Sequence, residues 1–79
     1  MDKLAKALAK MPDKDRRKIK AIIIRIAERN FSELDFKKLS GHDDIYRVRQ
    51  GDFRIIFRLA KEEVFILAIE KRSNHTYNF

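Results

Sequence analysis

Residues 45–59 read IYRVRQGDFRIIFRL, and their alternation decides the fold. Tyr46 and Val48 fall on one parity, Arg47 and Arg49 on the other. After Gln50-Gly51-Asp52 the alternation resumes, with Phe53, Ile55, Phe57 and Leu59 set against Arg54, Ile56 and Arg58. Successive side chains of a strand point to opposite faces, so a period of two in β-branched and aromatic residues predicts strands. A Gly-Asp step between two such runs predicts a hairpin. One face of that hairpin is apolar. The other carries Arg47, Arg49, Arg54 and Arg58, with no lysine and no acid between them.

Downstream, residues 64–71, VFILAIEK, predict a third strand, nearly continuous in apolar residues as a strand buried on both faces or central in its sheet would be. Carried forward, the parity sends Phe65, Leu67 and Ile69 inward and leaves Val64, Ile66, Ala68, Glu70 and Arg72 on the arginine side. Upstream, Leu4, Leu8 and Met11 recur at helical spacing, with Asp2 as N-cap and Pro12 as the stop. Ile19, Ile22, Ile23 and Ile26 form one stripe on a second helix over about residues 13–29, closed by Asn30 as the residue after the cap. Residues 30–44 lose periodicity and predict a loop pinned by Phe31, Leu34, Phe36 and Leu39. The expected fold is therefore α+β: an N-terminal antiparallel helical hairpin packed on a three-stranded antiparallel sheet, one domain over residues 1–79.

A chain of 79 residues is small, and it holds no cysteine, so neither a disulfide nor a thiolate zinc site can support its core. Absence of cysteine fits a reducing, cytoplasmic setting. Nineteen Lys and Arg against 12 Asp and Glu give a net charge of +7, which predicts attraction to a polyanion. There is no apolar run of about 18 residues to span a membrane, and the start of the chain lacks the apolar segment of a secretory signal.

Guanidinium groups, planar and permanently charged, suit bidentate contact with phosphate. Arg47, Arg49, Arg54, Arg58 and Arg72 are the candidates for phosphate contact, and Lys37 and Lys38 would extend it along an RNA strand. In the tail, a histidine such as His75 can accept or give a proton, and Tyr77 can stack on a base or donate its hydroxyl. No phosphate loop, dinucleotide fingerprint, metal-ligand spacing or Ser-His-Asp set is present, so no cofactor and no metal is expected. Metal-free RNA cleavage suits these parts: a base activates the ribose 2′-hydroxyl, arginines stabilise the charge growing on the phosphate, and an acid protonates the departing 5′-oxygen.

Lys38-Leu39-Ser40-Gly41, Ile45-Tyr46-Arg47-Val48-Arg49, Gly51-Asp52-Phe53-Arg54-Ile55-Ile56-Phe57 and the tail from Lys71 to Tyr77 resemble the core and C-terminal motifs of the RelE/ParE superfamily of type II toxins. The upstream LAKMPDKDRRKIKAIIIRI resembles that superfamily's helical hairpin. The resemblance implies a toxin neutralised by a cognate antitoxin. In its RelE-like branch it implies an endoribonuclease cleaving mRNA on the ribosome, with Arg47, Arg49, Arg54, Arg72 and a terminal His75 or Tyr77 at the catalytic positions. Arg47 and Arg49 match positions often held by lysine. Arginine is a poor proton carrier, so proton transfer would fall to His75, aided by Tyr77. A ParE-like gyrase inhibitor and a non-catalytic nucleic-acid-binding module are the alternatives. The superfamily's first β-strand has no counterpart before the first helix here: either the strand is absent or this sequence starts after it, and a sheet lacking it would have an exposed edge. The expected partners are a small acidic or amphipathic antitoxin, mRNA and the ribosome, with no membrane.

Overall fold

A computed structural model describes residues 3–39, 41, 44–72 and 75–78, with the backbone alone for residues 75, 77 and 78. The order is α1 (Lys3–Lys10), α2 (Asp13–Ala27), β1 (Asp35–Lys38), β2 (Ile45–Gln50), β3 (Phe53–Leu59), β4 (Val64–Lys71) and β5 (His75–Asn78). The strands form one antiparallel meander, β1-β2-β3-β4-β5. The α+β class and the helix-then-sheet order are as expected. The three-stranded sheet is not: residues 35–38, expected in a loop, form one edge strand, and the tail forms the other. Both additions run only four residues, too short for alternation to stand out from a loop.

The two helices are linked by Met11 and Pro12. Asp2, expected to cap α1, lies outside the described residues. At the other end of α1, Nη1 of Arg16 donates to the Leu8 carbonyl at 3.4 Å and to the Met11 carbonyl at 3.5 Å. The Leu8 carbonyl also accepts from the Met11 amide at 3.1 Å, so the cation adds a second donor there and opposes the negative end of the helix dipole. Helix α2 begins with Asp13 and Asp15 in its first turn, where the dipole is positive. It ends in a Schellman turn: the Asn30 amide donates to the Arg25 carbonyl at 2.9 Å and the Arg29 amide to the Ile26 carbonyl at 3.0 Å. Arg29, not Asn30, therefore takes the left-handed position, with φ 59°. A non-glycine residue there costs about 1 kcal/mol. Arg29 offsets some of this by donating to the Ala60 carbonyl at 3.0 Å, which ties the end of α2 to the end of β3.

Ile19, Ile22 and Ile26 of α2 and Met11 pack on Val48, Phe53, Ile55, Phe57 and Ile69 of the sheet. Ile19, Ile26, Val48, Ile55, Phe57 and Ile69 are fully buried. Burial of each such side chain contributes about 1.5–3 kcal/mol. Phe31, Phe36, Tyr46 and Phe57 continue the same layer as a stack, with Phe31 and Phe36 centroids 3.9 Å apart. A side-chain ion pair also crosses this interface. Nζ of Lys71 in β4 donates to Oδ2 of Asp15 in α2 at 2.7 Å, with the two side chains only 29% and 14% exposed.

The register of β4 departs from simple parity. Ile56 pairs with Ala68 but Phe57 pairs with Ile66, so Leu67 is an extra residue, a β-bulge. A one-residue slip exchanges the faces of everything beyond it. Val64 and Ile66, expected outside, thus join the core layer. Phe65, expected inside, is 44% exposed on the arginine side. Leu67, also expected inward, is the unpaired residue and only half-buried. Ile69 inward and Glu70 outward, on the near side of the bulge, are as expected. Strand β4 looks continuously apolar because it changes faces midway, not because both faces are buried. Among the described residues no helix is long and apolar enough to cross a membrane.

The bulge separates two neighbouring substitutions. Ile66→Ala should lower the stability read from urea unfolding by about 2 kcal/mol, and Phe65→Ala by less than about 1 kcal/mol. Breaking the inter-layer bond with Asp15→Ala should cost about 1.5–3 kcal/mol, because Lys71 is left partly buried without that acceptor.

Candidate nucleic-acid interface

The β2–β3 turn sets the geometry of the exposed sheet face. Gln50 pairs with Phe53, leaving Gly51 and Asp52 as a two-residue loop. Gly51 has φ 59° and Asp52 a negative φ, the pattern of a type II′ turn, whose first central position favours glycine. So short a loop leaves no slack in the register. Arg49 is placed directly opposite Arg54, Arg47 opposite Ile56, and Ile45 opposite Arg58.

Two like charges opposite one another repel. Here the neighbouring strands answer the repulsion, because Asp35 of β1 pairs with Arg49 and Glu70 of β4 pairs with Arg54. Across four strands the row reads acid, arginine, arginine, acid. Nη1 of Arg54 lies 3.2 Å from Oε1 of Glu70. Oδ2 of Asp35 lies 3.4 Å from Arg47 and 4.0 Å from Arg49. At the far end of the face, Nε of Arg58 donates to Oδ2 of Asp44 at 2.7 Å.

A face of bare guanidiniums is therefore not what forms. Arg47, Arg49, Arg54 and Arg58 do share one side of the sheet, but each has a carboxylate beside it. The acids came from outside the hairpin whose parity exposed the arginines: Asp35 and Asp44 stood in the expected loop, and Glu70 was the one acid placed on this face. Arg49, Arg54 and Arg58 remain about half exposed, and ion pairs so exposed are worth about 0.2–1 kcal/mol each, within reach of displacement by a phosphate. Arg47 differs. Its side chain is 14% exposed, so it is a positioned sheet residue more than an open one.

Arg49, Arg54 and Arg72 come together. They line a shallow cleft of about 510 Å³ at the turn end of the sheet, with Asp52, Glu70 and Thr76. Arg72 reaches it because its amide donates to the Asp52 carbonyl at 2.8 Å, pinning the end of β4 to the β2–β3 turn. Among the described residues Arg72 has no ion pair. Arg58 sits at the opposite end of β3, outside the cleft. Lys37 pairs with Arg47 and shares the arginine face. Lys38 pairs with Tyr46, a member of the aromatic stack, and so belongs to the other side of the sheet. Its expected place beside the arginines is corrected by that register.

His75 and Tyr77 belong to β5 by backbone, opposite Lys71 and Ile69. Their side chains, and all of His42, lie outside the described residues. Thr76, between them, lines the cleft, so the backbone of β5 runs along its rim. Asp35, Asp44, Phe65 and Thr76 are the residues on this face that sequence reasoning missed. Four residues are too few for an alternation to mark Asp35, and nothing local marked the bulge that exposes Phe65.

The acids dilute the field of the face. Asp35→Asn should therefore strengthen polyanion binding, measured as elution from immobilised heparin at higher salt than the parent protein. Earlier elution would show that Asp35 aids binding by holding Arg47 and Arg49 in place.

No protein-family model and no curated protein matches this sequence. Among solved structures, it is similar to a chain of the crystal structure of the RelB–RelE antitoxin–toxin complex from Methanococcus jannaschii. The match has a TM-score of 0.67 and 27% sequence identity, covering 87% of this chain and 84% of that one. Fold and sequence together thus place the chain beside a component of a toxin–antitoxin complex.

Proposed function

We propose that this chain is the toxin member of a toxin–antitoxin pair, a RelE-like endoribonuclease that cleaves mRNA on the ribosome without a metal. The observation that carries the reading is the meeting of Arg49, Arg54 and Arg72 at one cleft on a basic sheet face. Similarity to a chain of an antitoxin–toxin complex supports the class. The net charge of +7 and the outward arginines favour the member that meets RNA over the member that masks it.

In this reading the RNA phosphate enters the cleft and displaces Glu70 and Asp35 from the guanidiniums. The 2′-hydroxyl loses its proton to a base and attacks phosphorus. The new bond to O2′ forms as the bond to O5′ breaks, leaving a 2′,3′-cyclic phosphate and a protonated 5′-hydroxyl. Arg49, Arg54 and Arg72 stabilise the extra negative charge of the transition state, since charge develops there and the donors are already fixed. None of the three carries a proton readily. The motif assigns that work to His75, aided by Tyr77, although the register of β5 pairs these two with Lys71 and Ile69 and sets Thr76 opposite the cleft residue Glu70. Arg47 holds Asp35 and the β1–β2 pairing, and Arg58 and Lys37 bind flanking phosphates. The partner is a protein whose acidic groups cover the cleft by charge complementarity; mRNA and the ribosome are the target.

Purified protein added to a translation extract should cut mRNA and leave cyclic phosphate ends. Arg72→Ala should lower the cleavage rate on the order of a hundred-fold with the urea midpoint retained. Intact mRNA at saturating protein would overturn the reading, and inhibition of DNA supercoiling in the same preparation would turn it toward a gyrase-directed toxin.

A further inference from the structure

The bulge does more than mend the core. By exchanging parity it puts a large aromatic ring on the arginine face, where Phe65 is 44% exposed. The guanidinium of Arg58 lies 5.8 Å from the centre of that ring. Phe65 is directly opposite Arg58, and the register of β5 ends at the Ala68–Asn78 pair. Residues 64–67 therefore have no described strand beyond them, and the ring stands at an open corner of the sheet. An apolar ring among cations gains little from facing water, and its position is of no use to the core.

We propose that Phe65, with Arg58, is a base-stacking platform for single-stranded RNA, a second subsite on the face whose phosphate cleft lies at the other end. This rests on the reading of the face as an RNA surface and adds where a base is held. Arg54, in the cleft, and Arg58 are four residues apart on β3, about 13 Å along the strand. A single strand laid along β3 would place a phosphate in the cleft and an unpaired base over Phe65. Ile56 lies between them, so the path is apolar in the middle and cationic at both ends. Among the described residues the face carries Arg47, Arg49, Arg54, Arg58, Arg72 and Lys37 against Asp35, Asp44, Asp52 and Glu70, so its charge favours a polyanion over an apolar protein surface. Stacking accepts any base, because every base has a π-face. The platform would therefore orient RNA without selecting its sequence.

The test compares two labelled probes of equal length and charge: an oligoribonucleotide, and the same strand with abasic ribose at every position. Phe65→Ala should weaken the oligoribonucleotide about tenfold or more, leave the abasic strand unchanged, and leave the salt slope unchanged because no phosphate contact is lost. Phe65→Tyr, which keeps the ring, should retain affinity. Equal loss for both probes, or no loss for either, overturns the platform. RNA binding unchanged in Phe65→Ala, with affinity lost for a co-expressed acidic protein, also overturns it and assigns the ring to a protein interface. A platform that fails while Arg72→Ala still abolishes cleavage leaves the proposed enzyme standing; one that holds in a protein without cleavage marks a binding module.

Discussion

The register of one hairpin governs this protein. Gly51, in a backbone conformation that other residues adopt at a cost, closes β2 onto β3 in two residues and leaves no slack. With that register, Val48, Ile55 and Phe57 meet the isoleucines of α2, and Arg49, Arg54 and Arg58 meet water. A slip of one residue would bury the arginines and expose the core, so no near-native alternative competes. The same constraint creates the electrostatic problem of the exposed face, by seating Arg49 against Arg54.

The solution to that problem lies in the edge of the sheet and in β4. Asp35 and Glu70 flank the two arginines and hold them apart from each other without burying them. Such a row stores cations in a neutralised and ordered form. Under the proposed function, a phosphate arriving at the cleft would exchange one anionic partner for another, and the guanidiniums would not need to reorganise to receive it. Exposed pairs are cheap to exchange, whereas the Lys71–Asp15 bond, largely covered, belongs to the union of sheet and helix. Exposure thus separates the ion pairs of the open face from the one that joins the layers.

A small domain without disulfides relies on ties between layers. Besides the aliphatic seam, polar contacts cross between elements at their ends: Arg29 to the Ala60 carbonyl, Arg72 to the Asp52 carbonyl and Lys71 to Asp15. The Arg72 contact also orients the cleft. Sheet and cleft share that backbone bond, because it holds the end of β4 against the hairpin turn whose register lines up the other two arginines.

Residues 45–59 by themselves determined the hairpin, its turn and the common face of Arg47, Arg49, Arg54 and Arg58, because alternation is a local property of an extended chain. The isoleucine stripe determined α2 for the same reason at helical period. Tertiary structure alone decided the rest. The bulge at Leu67 arises from fitting β4 to β3 under α2, and no local pattern encodes a fit between strands, so Phe65 and Ile66 changed sides unannounced. The short edge strands owe their existence to partners already in place. Carboxylates reached the arginines from Asp35, Asp44 and Glu70, distant in the chain from the guanidiniums they meet or separated from them by a turn. Charge pairing across a sheet depends on register between strands, which only the folded chain possesses.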